Sequence, residues 1–425
     1  MKTINSFFVY TFLMIILPNG IGFRSLLDFY LWMILAILLI IPPLLKEVKG
    51  NYFNIETFDL VILALVALDV FATFFNQNMR AAVADFIAKS MYFIVPYFAG
   101  KYLIKSEKSF LSYVIVLNCA ALVVSIMALY EMRTGNPFFQ RFSYLMMDPD
   151  NLWMNSQMLY ERFGSVRVAA SFAQPIFLGV FLSLVVLMNF IIIQERLMIS
   201  KNQKAIIYCV IIFAVIGVVV SQSRTAAICL ILTSITYWFD RRQKIGIARL
   251  FVFTVPVFAS VWLIYFLLGQ AFDDLIFYSI FSPDAPGGLI GRSRNIADSF
   301  YMIFSYPNWL GEKIVTKFDY YWFLSNTDLL NGYLNKFLLK GIFCGIVYTY
   351  VWFKAIKGSY QLSKDTLVGK ILFYSFLYLA VVNWITWVVV QNEILFFVLL
   401  GLMVNPFLKH SMNNSGGNLN ESKPA

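Results

Sequence analysis

The residues best placed to do chemistry form a short polar segment, Ser221-Gln222-Ser223-Arg224, between apolar runs at 205–220 and 225–239. This spacing predicts that Arg224 lies in the first turn of a membrane helix. The helix dipole is positive at that end and repels a cation unless an anion is bound there too. Helix N-termini readily bind phosphate groups. Ser223 and Arg224 therefore predict a site for a phosphorylated ligand at one face of a bilayer, with a lipid-headgroup contact as the simpler alternative.

Three further arginines are candidates to extend such a site. Helical spacing after the first long loop would place Arg167, Ser171 and Gln174 on one stripe, which would form a phosphate- or sugar-binding wall. Arg292 and Arg294 lie in a second long loop, and guanidinium groups bind phosphate oxygens bidentately. The alternatives are an arginine that snorkels to headgroups for Arg167 and ordinary loop solvation for Arg292 and Arg294.

A carboxylate and a group of small polar residues share one face of a predicted helix that leads into an apolar run ending near Trp352. These residues are Asp328, Asn331, Gly332 and Asn335. Asp328 could accept the proton of a sugar hydroxyl or orient that hydroxyl. The alternative is a helix N-cap, for which aspartate is favoured.

Charged residues also occur inside apolar runs. Asp69 and Lys89 lie at similar distances from a predicted turn near Asn78, so we expect them at similar depth in neighbouring helices. Lone charges in lipid are costly, which favours a buried structural pair. A proton or ion relay is the alternative. Lys336 and Lys340, one helical turn apart, could add positive potential.

Composition indicates a polytopic α-helical membrane protein. The chain has 425 residues, of which 60% are hydrophobic and only 13% charged, and its mean hydropathy is +0.73. So much apolar surface has no place in water. The net charge of +10 is scattered over short loops, which argues against nucleic acid as a partner. The four cysteines lie in apolar runs and the single histidine is His410. We therefore expect no disulfide framework, no metal site and no cofactor.

Twelve apolar runs predict an all-α bundle of about twelve transmembrane helices in one domain, 1–408. The runs are 4–19, 26–45, 58–76, 82–100, 110–130, 167–194, 205–220, 225–239, 250–269, 337–353, 371–390 and 392–408. Lysine and arginine are more frequent in the segments that would face the cytoplasm if both termini do. The first run has no cleavage pattern after it, so we expect an uncleaved helix.

The connecting segments are unequal in length. Two predicted outer loops, about 131–166 and 270–327, are long and rich in aromatic residues, which favours folded functional loops over disordered ones. The tail at 409–425 is polar, and we expect it to be disordered.

The order of these elements resembles the O-antigen polymerase and O-antigen ligase group of bacterial membrane proteins. The resemblance spans about 160–350. It consists of the arginine-led segment from Arg167 to Pro175, the Ser221-Gln222-Ser223-Arg224 signature, an outer loop with arginines, and the segment that begins Asn331-Gly332-Tyr333 and reaches Gly341. Ligases carry a His-Asn pair before that segment, whereas this chain has Leu330-Asn331. The missing histidine favours polymerase over ligase.

The resemblance implies a GT-C-like bundle and a glycosyltransferase without cofactor or metal. Its substrate would be an oligosaccharide on undecaprenyl pyrophosphate, at the outer face of the bacterial inner membrane. Arg224 and Asp328 would be catalytic, and the remaining site residues would bind substrate: Arg167, Ser171, Gln174, Ser223, Arg292, Arg294, Asn331 and Tyr333. Membrane lipid and a chain-length regulator are further candidate partners. The alternatives are an O-antigen ligase and a flippase for lipid-linked sugars, for which Asp69 and Lys89 are the main support.

Overall fold

The computed structural model describes residues 5–18, 22–23, 29–49, 54–76, 79–136, 138, 160–162, 165–172, 174–195, 201–243, 303–304, 307–310, 332–385 and 391–406. The predicted run at 250–269 and the tail at 409–425 lie outside these ranges. So do most of the two long loops.

The described part of the chain is helical apart from two small antiparallel hairpins, which confirms the all-α fold class. The first half contains α1 (Ser6–Ile16), α2 (Leu31–Leu39), α3 (Ile41–Lys49), α4 (Thr57–Asn76), α5 (Met79–Lys89), a π-helix (Ser90–Ile94), α6 (Val95–Leu103) and α7 (Glu107–Thr134). The second half contains α8 (Pro175–Gln194), α9 (Lys201–Val220), α10 (Arg224–Gln243), α11 (Gly332–Lys340), α12 (Ile342–Ser363), α13 (Leu367–Ile385) and α14 (Gln391–Met403). The hairpins pair β1 (Gly22–Phe23) with β2 (Phe29–Tyr30) and β3 (Tyr160–Arg162) with β4 (Ser165–Arg167).

Six helical segments are long and apolar enough to cross a membrane. They are Thr57–Phe74, Ala82–Leu103, Glu107–Thr134, Pro175–Gln194, Lys201–Val220 and Leu367–Ile385. Helices α1 and α14 are apolar but shorter. The protein is therefore a helical membrane protein by length and composition. The six segments coincide with six of the twelve predicted runs, and the total of about twelve spans stays a prediction.

Three of the predicted runs are divided differently in the structure. Run 26–45 forms two short helices, because α2 ends at Leu39 and α3 begins at Ile41 with Pro42 and Pro43 in its first turn. Proline lacks the amide hydrogen that would continue the preceding helix. Run 167–194 becomes helical only from Pro175. Run 337–353 is interrupted at Gly341, where φ is +92°.

Hydrogen bonds fix the relative directions of the helices. At one end of the bundle, Gln391 at the start of α14 donates to the carbonyl oxygens of Met14 (3.3 Å) and Leu17 (3.4 Å), at the C-terminal end of α1. Ala169, shortly before α8, donates to Glu131 near the end of α7 (3.0 Å). We call this end, which includes the Ser221–Arg224 turn, the arginine end.

The opposite end is held by ion pairs. Glu195, just after α8, contacts Lys370 near the start of α13 at 2.7 Å. Lys101 near the end of α6 contacts Asp59 near the start of α4 at 2.6 Å. From α4 to α10, successive spans therefore alternate in direction, as the apolar runs predict.

Close approach of backbones tightens the centre of the bundle. Gly100 of α6 lies against the backbone of Val398, and Gly401 of α14 lies against the backbone of Tyr97, so that no Cβ fits at either glycine. Small residues allow membrane helices to pack in this way. Asn118 of α7 and Asn189 of α8 exchange two amide hydrogen bonds, at 3.0 and 2.7 Å. These contacts join α6 closely to α14 and α7 closely to α8.

Candidate functional site

The Ser221–Arg224 turn joins α9 to α10 at the arginine end. Helix α9 ends at Val220 and α10 begins at Arg224, which confirms that this arginine opens a helix. Ser223 caps the helix, because its Oγ accepts a hydrogen bond from the amide of Ala226 at 3.4 Å. Gln222 has a φ of +52° and lets the chain reverse between the two helices. The binding of an anion by Arg224 stays a prediction.

Helix α8 packs directly under this turn. A Cβ on Gly179 would lie 2.6 Å from the Cβ of Ser223 and 3.0 Å from the Oγ of Ser221. Only glycine therefore fits at this position of α8. Because Ser221 and Ser223 are buried, the turn is a packed feature of the bundle and not a loose loop.

The polar stripe predicted from Arg167 to Gln174 is wrong as a helical arrangement. Arg167 ends strand β4, and the chain then turns through Ala170, whose φ is +50°, before α8 begins at Pro175. Proline at the first helical position explains this start, since it has no amide hydrogen to be satisfied there. Ser171 is buried and donates to the carbonyl of Ile15 at 2.5 Å, while Gln174 is exposed. These residues consequently do not share one wall.

Glu131 holds this non-helical segment in place. Its carboxylate accepts hydrogen bonds from the amides of Ala169 and Ala170, at 3.0 and 2.9 Å, and from the amide of Phe138 at 2.8 Å. Sequence reasoning missed Glu131, because it looks like one more polar residue at the end of a long helix. The residue fixes the entry to α8 and therefore the position of Gly179 under the Ser221–Arg224 turn.

The remaining predicted site residues are not brought together by the described structure. Arg292, Arg294, Asp328 and Asn331 lie outside the described residues. Tyr333 is half-buried in α11, with its ring centroid 5.9 Å from that of Tyr348, 5.8 Å from that of Trp352 and 6.0 Å from that of Trp384. The convergence of arginines on one ligand stays a prediction.

Helix α11 does not continue into α12, contrary to the helix predicted through this region. Tyr333 and Trp352 are 19 residues apart, which would separate them by about 28 Å along one helix. Their rings are instead in contact, and the ring of Phe337 lies against Gly345. Helix α11 is therefore folded back on α12 by a reversal at Gly341.

A second charged site lies where α11 meets α4 and α5. Asp69 is completely buried, and three lysine ammonium groups surround its carboxylate. Lys336 Nζ lies 2.7 Å from Oδ2, while Lys340 Nζ and Lys89 Nζ lie 3.1 and 3.7 Å from Oδ1. We call these four residues the lysine cluster. The predicted pairing of Asp69 with Lys89 is confirmed, and the two lysines of α11 join it.

Further groups complete the surroundings of the lysine cluster. Thr73 donates to Asp85 at 2.6 Å and accepts from Lys340 at 3.2 Å. Glu393 of α14 acts electrostatically on Lys336. Lys336 Nζ also lies 5.6 Å from the ring centroids of both Phe93 and Tyr348, within the range of cation–π attraction.

Both elements that carry the lysines depart from regular helix geometry. Lys89 is followed by the π-helix, which contains Phe93, and such turns frequently occur at functional sites. Lys336 and Lys340 lie on α11, a short helix folded back into the bundle. Broken helices at membrane depth are typical of places where a protein binds a charged ligand.

No protein-family model matches this sequence, and a comparison with curated proteins finds no significant match.

Proposed function

We propose that this chain polymerises a bacterial surface polysaccharide, such as an O-antigen or a capsule-like glycan. It would transfer glycan repeat units between undecaprenyl pyrophosphate carriers at the outer face of the inner membrane, with both termini in the cytoplasm. The observation that carries the proposal is the start of α10 at Arg224, directly after the Ser223 cap. That position gives the arginine a reason to hold an anion, because the helix end is itself positive.

The reaction is a glycosyl transfer. A hydroxyl of the acceptor glycan attacks the anomeric carbon of the donor, and the bond from that carbon to the pyrophosphate oxygen breaks. Asp328 would take the hydroxyl proton, and the pyrophosphate would leave with the electron pair. Arg224, with Arg167, Arg292 and Arg294, would stabilise the charge that develops on the leaving group. No cofactor or metal is needed for this step.

Replacement of Arg224 tests the proposal. In the Arg224→Ala variant we expect polymerisation to fall about 100-fold or more, since one donor to a developing charge is worth that much. The measurement is the chain-length ladder of the surface polysaccharide on gels, together with the amount of protein in the membrane.

Arg241 supplies the matched control for this test. It lies on the same helix at the opposite end of the bundle and donates to Gln194. The Arg241→Ala variant should give a normal ladder. If Arg224→Ala also gives a normal ladder at normal protein level, Arg224 has no part in the reaction.

A lipid-linked oligosaccharide flippase is a second candidate, favoured by the lysine cluster and the folded-back helix α11. Transporters use broken helices and buried charges of this kind. A deletion strain in which single repeat units still reach the cell surface would exclude this candidate. The same strain separates polymerase from ligase, because loss of a ligase would leave no glycan attached to its final acceptor.

A further inference from the structure

The lysine cluster has an uneven distribution of contacts. Lys336 and Asp69 form a close pair at 2.7 Å, with side chains 3% and 0% exposed. Oδ1 of Asp69 accepts no hydrogen bond, although it is fully buried. Lys340 and Lys89 approach this oxygen only as ion pairs at 3.1 and 3.7 Å. Two ammonium groups thus share one carboxylate oxygen, and neither forms a hydrogen bond with it.

The two loosely held lysines form the accessible edge of the cluster. Their side chains are 23% exposed for Lys340 and 18% exposed for Lys89. Asp85 reaches Lys340 through the hydroxyl of Thr73, and Glu393 acts on the inner lysine, Lys336. Among the described carboxylates, the one nearest to the ammonium groups of Lys89 and Lys340 is therefore that of Asp69, and its contacts at 3.7 and 3.1 Å are longer than an ideal charge-assisted hydrogen bond.

The Asp59 site on the same helix shows what a purely structural pair looks like. Asp59 has a single lysine partner, Lys101, at 2.6 Å, and also accepts from the hydroxyl of Tyr97 at 2.5 Å and the amide of Glu56 at 2.6 Å. Its oxygens are fully used. The lysine cluster differs in its surplus of lysines in direct contact, and in an acceptor, Oδ1, that is contacted only by ion pairs.

We propose that Lys89 and Lys340 bind the diphosphate of a lipid-linked substrate, in competition with Oδ1 of Asp69. Phosphate oxygens accept charge-assisted hydrogen bonds from ammonium groups at about 2.7–2.9 Å, shorter than either contact with Oδ1. Lys336 remains paired with Oδ2 and holds Asp69 in place. The depth of Asp69 in the bundle also agrees with this proposal. Asp69 lies seven residues, or about 10 Å, from the end of α4 nearest the arginine end, where the diphosphate of a lipid-linked substrate would be.

This site is separate from the Ser221–Arg224 turn. Helices α4 and α11 pack mainly on α12, with a smaller contact of α11 on α13, whereas α8 and α10 pack on α13, and α12 and α13 are joined by a short turn. A reaction between two lipid-linked glycans needs two diphosphate sites. The inference rests on the proposed function for the identity of its ligand, and assigns the second carrier to the lysines.

Binding of radiolabelled farnesyl diphosphate to the purified full-length protein in detergent tests the proposal. We expect Lys89→Gln and Lys340→Gln each to weaken binding about tenfold, the effect of one charge-assisted hydrogen bond. Lys370→Gln is the matched control, because Lys370 is a partly exposed lysine paired with one carboxylate at the opposite end. Equal affinity in all four proteins would overturn the proposal.

The Asp69→Asn variant gives a readout that a structural role would not produce. Removal of the competing charge should tighten farnesyl diphosphate binding about tenfold. The ligand should also raise the melting temperature of this variant more than that of the wild type. Binding that is unchanged or weaker in Asp69→Asn would show that the carboxylate does not compete with the ligand.

Two comparisons separate the possible sources of the signal. Inorganic diphosphate should compete only weakly, and equal competition would overturn the assignment to a lipid-linked ligand. Loss of binding in the lysine variants, together with a normal ladder in a strain that lacks this chain, would reject the polymerase and retain the lysine site. A disturbed ladder, together with farnesyl diphosphate binding that the lysine variants do not weaken, would retain the polymerase and reject the lysine site.

Discussion

Two aspartates on helix α4 show how neighbouring charges decide the role of a buried carboxylate. Asp59 accepts three short hydrogen bonds, one of them from its single lysine partner, so its charge is fully compensated. Asp69 is surrounded by three lysines and still has an oxygen without a hydrogen bond. The first arrangement stabilises the fold, whereas the second leaves capacity for a ligand.

The Asp59–Lys101 pair predicts a large loss of stability on truncation. In Lys101→Met we expect unfolding to become easier by about 3–5 kcal/mol, because the Asp59 charge stays buried without its cation. Thermal unfolding in detergent measures this change. Lys105→Met is the control, since Lys105 contacts Glu47 at 2.6 Å but is 46% exposed, and exposed pairs contribute about 0–1 kcal/mol. A similar stability of both variants would contradict the structural role of Lys101.

At the residue scale the sequence predicted only part of the lysine cluster. The pairing of Asp69 with Lys89 followed from equal distances to a local turn. The contact of Asp69 with Lys336 joins residues 267 positions apart. No periodicity reports such a contact, because it depends on how α11 is folded back. The role of Glu131 in holding Ala169 and Ala170 was equally inaccessible from spacing alone.

At the scale of elements, the reversal at Gly341 determines where α11 lies. This glycine has a φ of +92° and a ψ of +163°, a region that residues with a Cβ avoid. A continuous helix through this position would carry Lys336 and Lys340 away from Asp69. The sequence predicts helical periodicity on both sides of Gly341, and periodicity contains no information about the break.

The reversal therefore predicts a specific cost at Gly341. We expect Gly341→Asn to destabilise the protein by about 1–3 kcal/mol and to expose α11 to proteolysis, because asparagine does not tolerate this backbone region. Gly135 is the matched control. It has a φ of +68° and a ψ of +10° at the end of α7, a left-handed cap in which asparagine is accepted. Equal melting temperatures of the two variants would contradict the reversal.

Helix starts were predictable where a local rule decides them. Arg224 was expected in a first turn, and it is the first residue of α10. The start of α8 was predicted at Arg167 and was wrong by eight residues, because Pro175 favours a helix start and Glu131 offers the preceding amides another acceptor.

At the scale of the whole molecule, the alternation of spans makes a prediction about sides of the membrane. In a variant without the four native cysteines, Asn136→Cys and Gln174→Cys should react with a membrane-impermeant maleimide added to intact spheroplasts. Both positions are exposed at the arginine end. Asp365→Cys, in the exposed turn between α12 and α13, should react only after permeabilisation. The reverse pattern would place the Ser221–Arg224 turn in the cytoplasm and reject the proposed function.

The class of the molecule was predictable from its composition, because a chain with 60% hydrophobic residues must bury them in lipid or in a bundle. The relative directions of the described helices followed from counting apolar runs. The internal arrangement was not predictable in the same way. Helix α14 is 13 residues long and buried almost throughout. Its apolar run at 392–408 nevertheless looks, in the sequence, like the runs of spans that are less buried.

The π-helix changes the angle, about the helix axis, between Lys89, which precedes it, and Lys101, near the end of α6. In a regular helix each residue turns by about 100°, so Lys89 and Lys101, 12 residues apart, would point about 120° away from each other. One extra residue in the wide turn Ser90–Ile94 reduces this angular offset to about 20°. Both lysines can then face helix α4, one towards Asp69 and the other towards Asp59. Deletion of a single residue from this turn would leave the amino-acid composition of both charged sites intact, and would still force one of the two lysines out of angular phase with its aspartate.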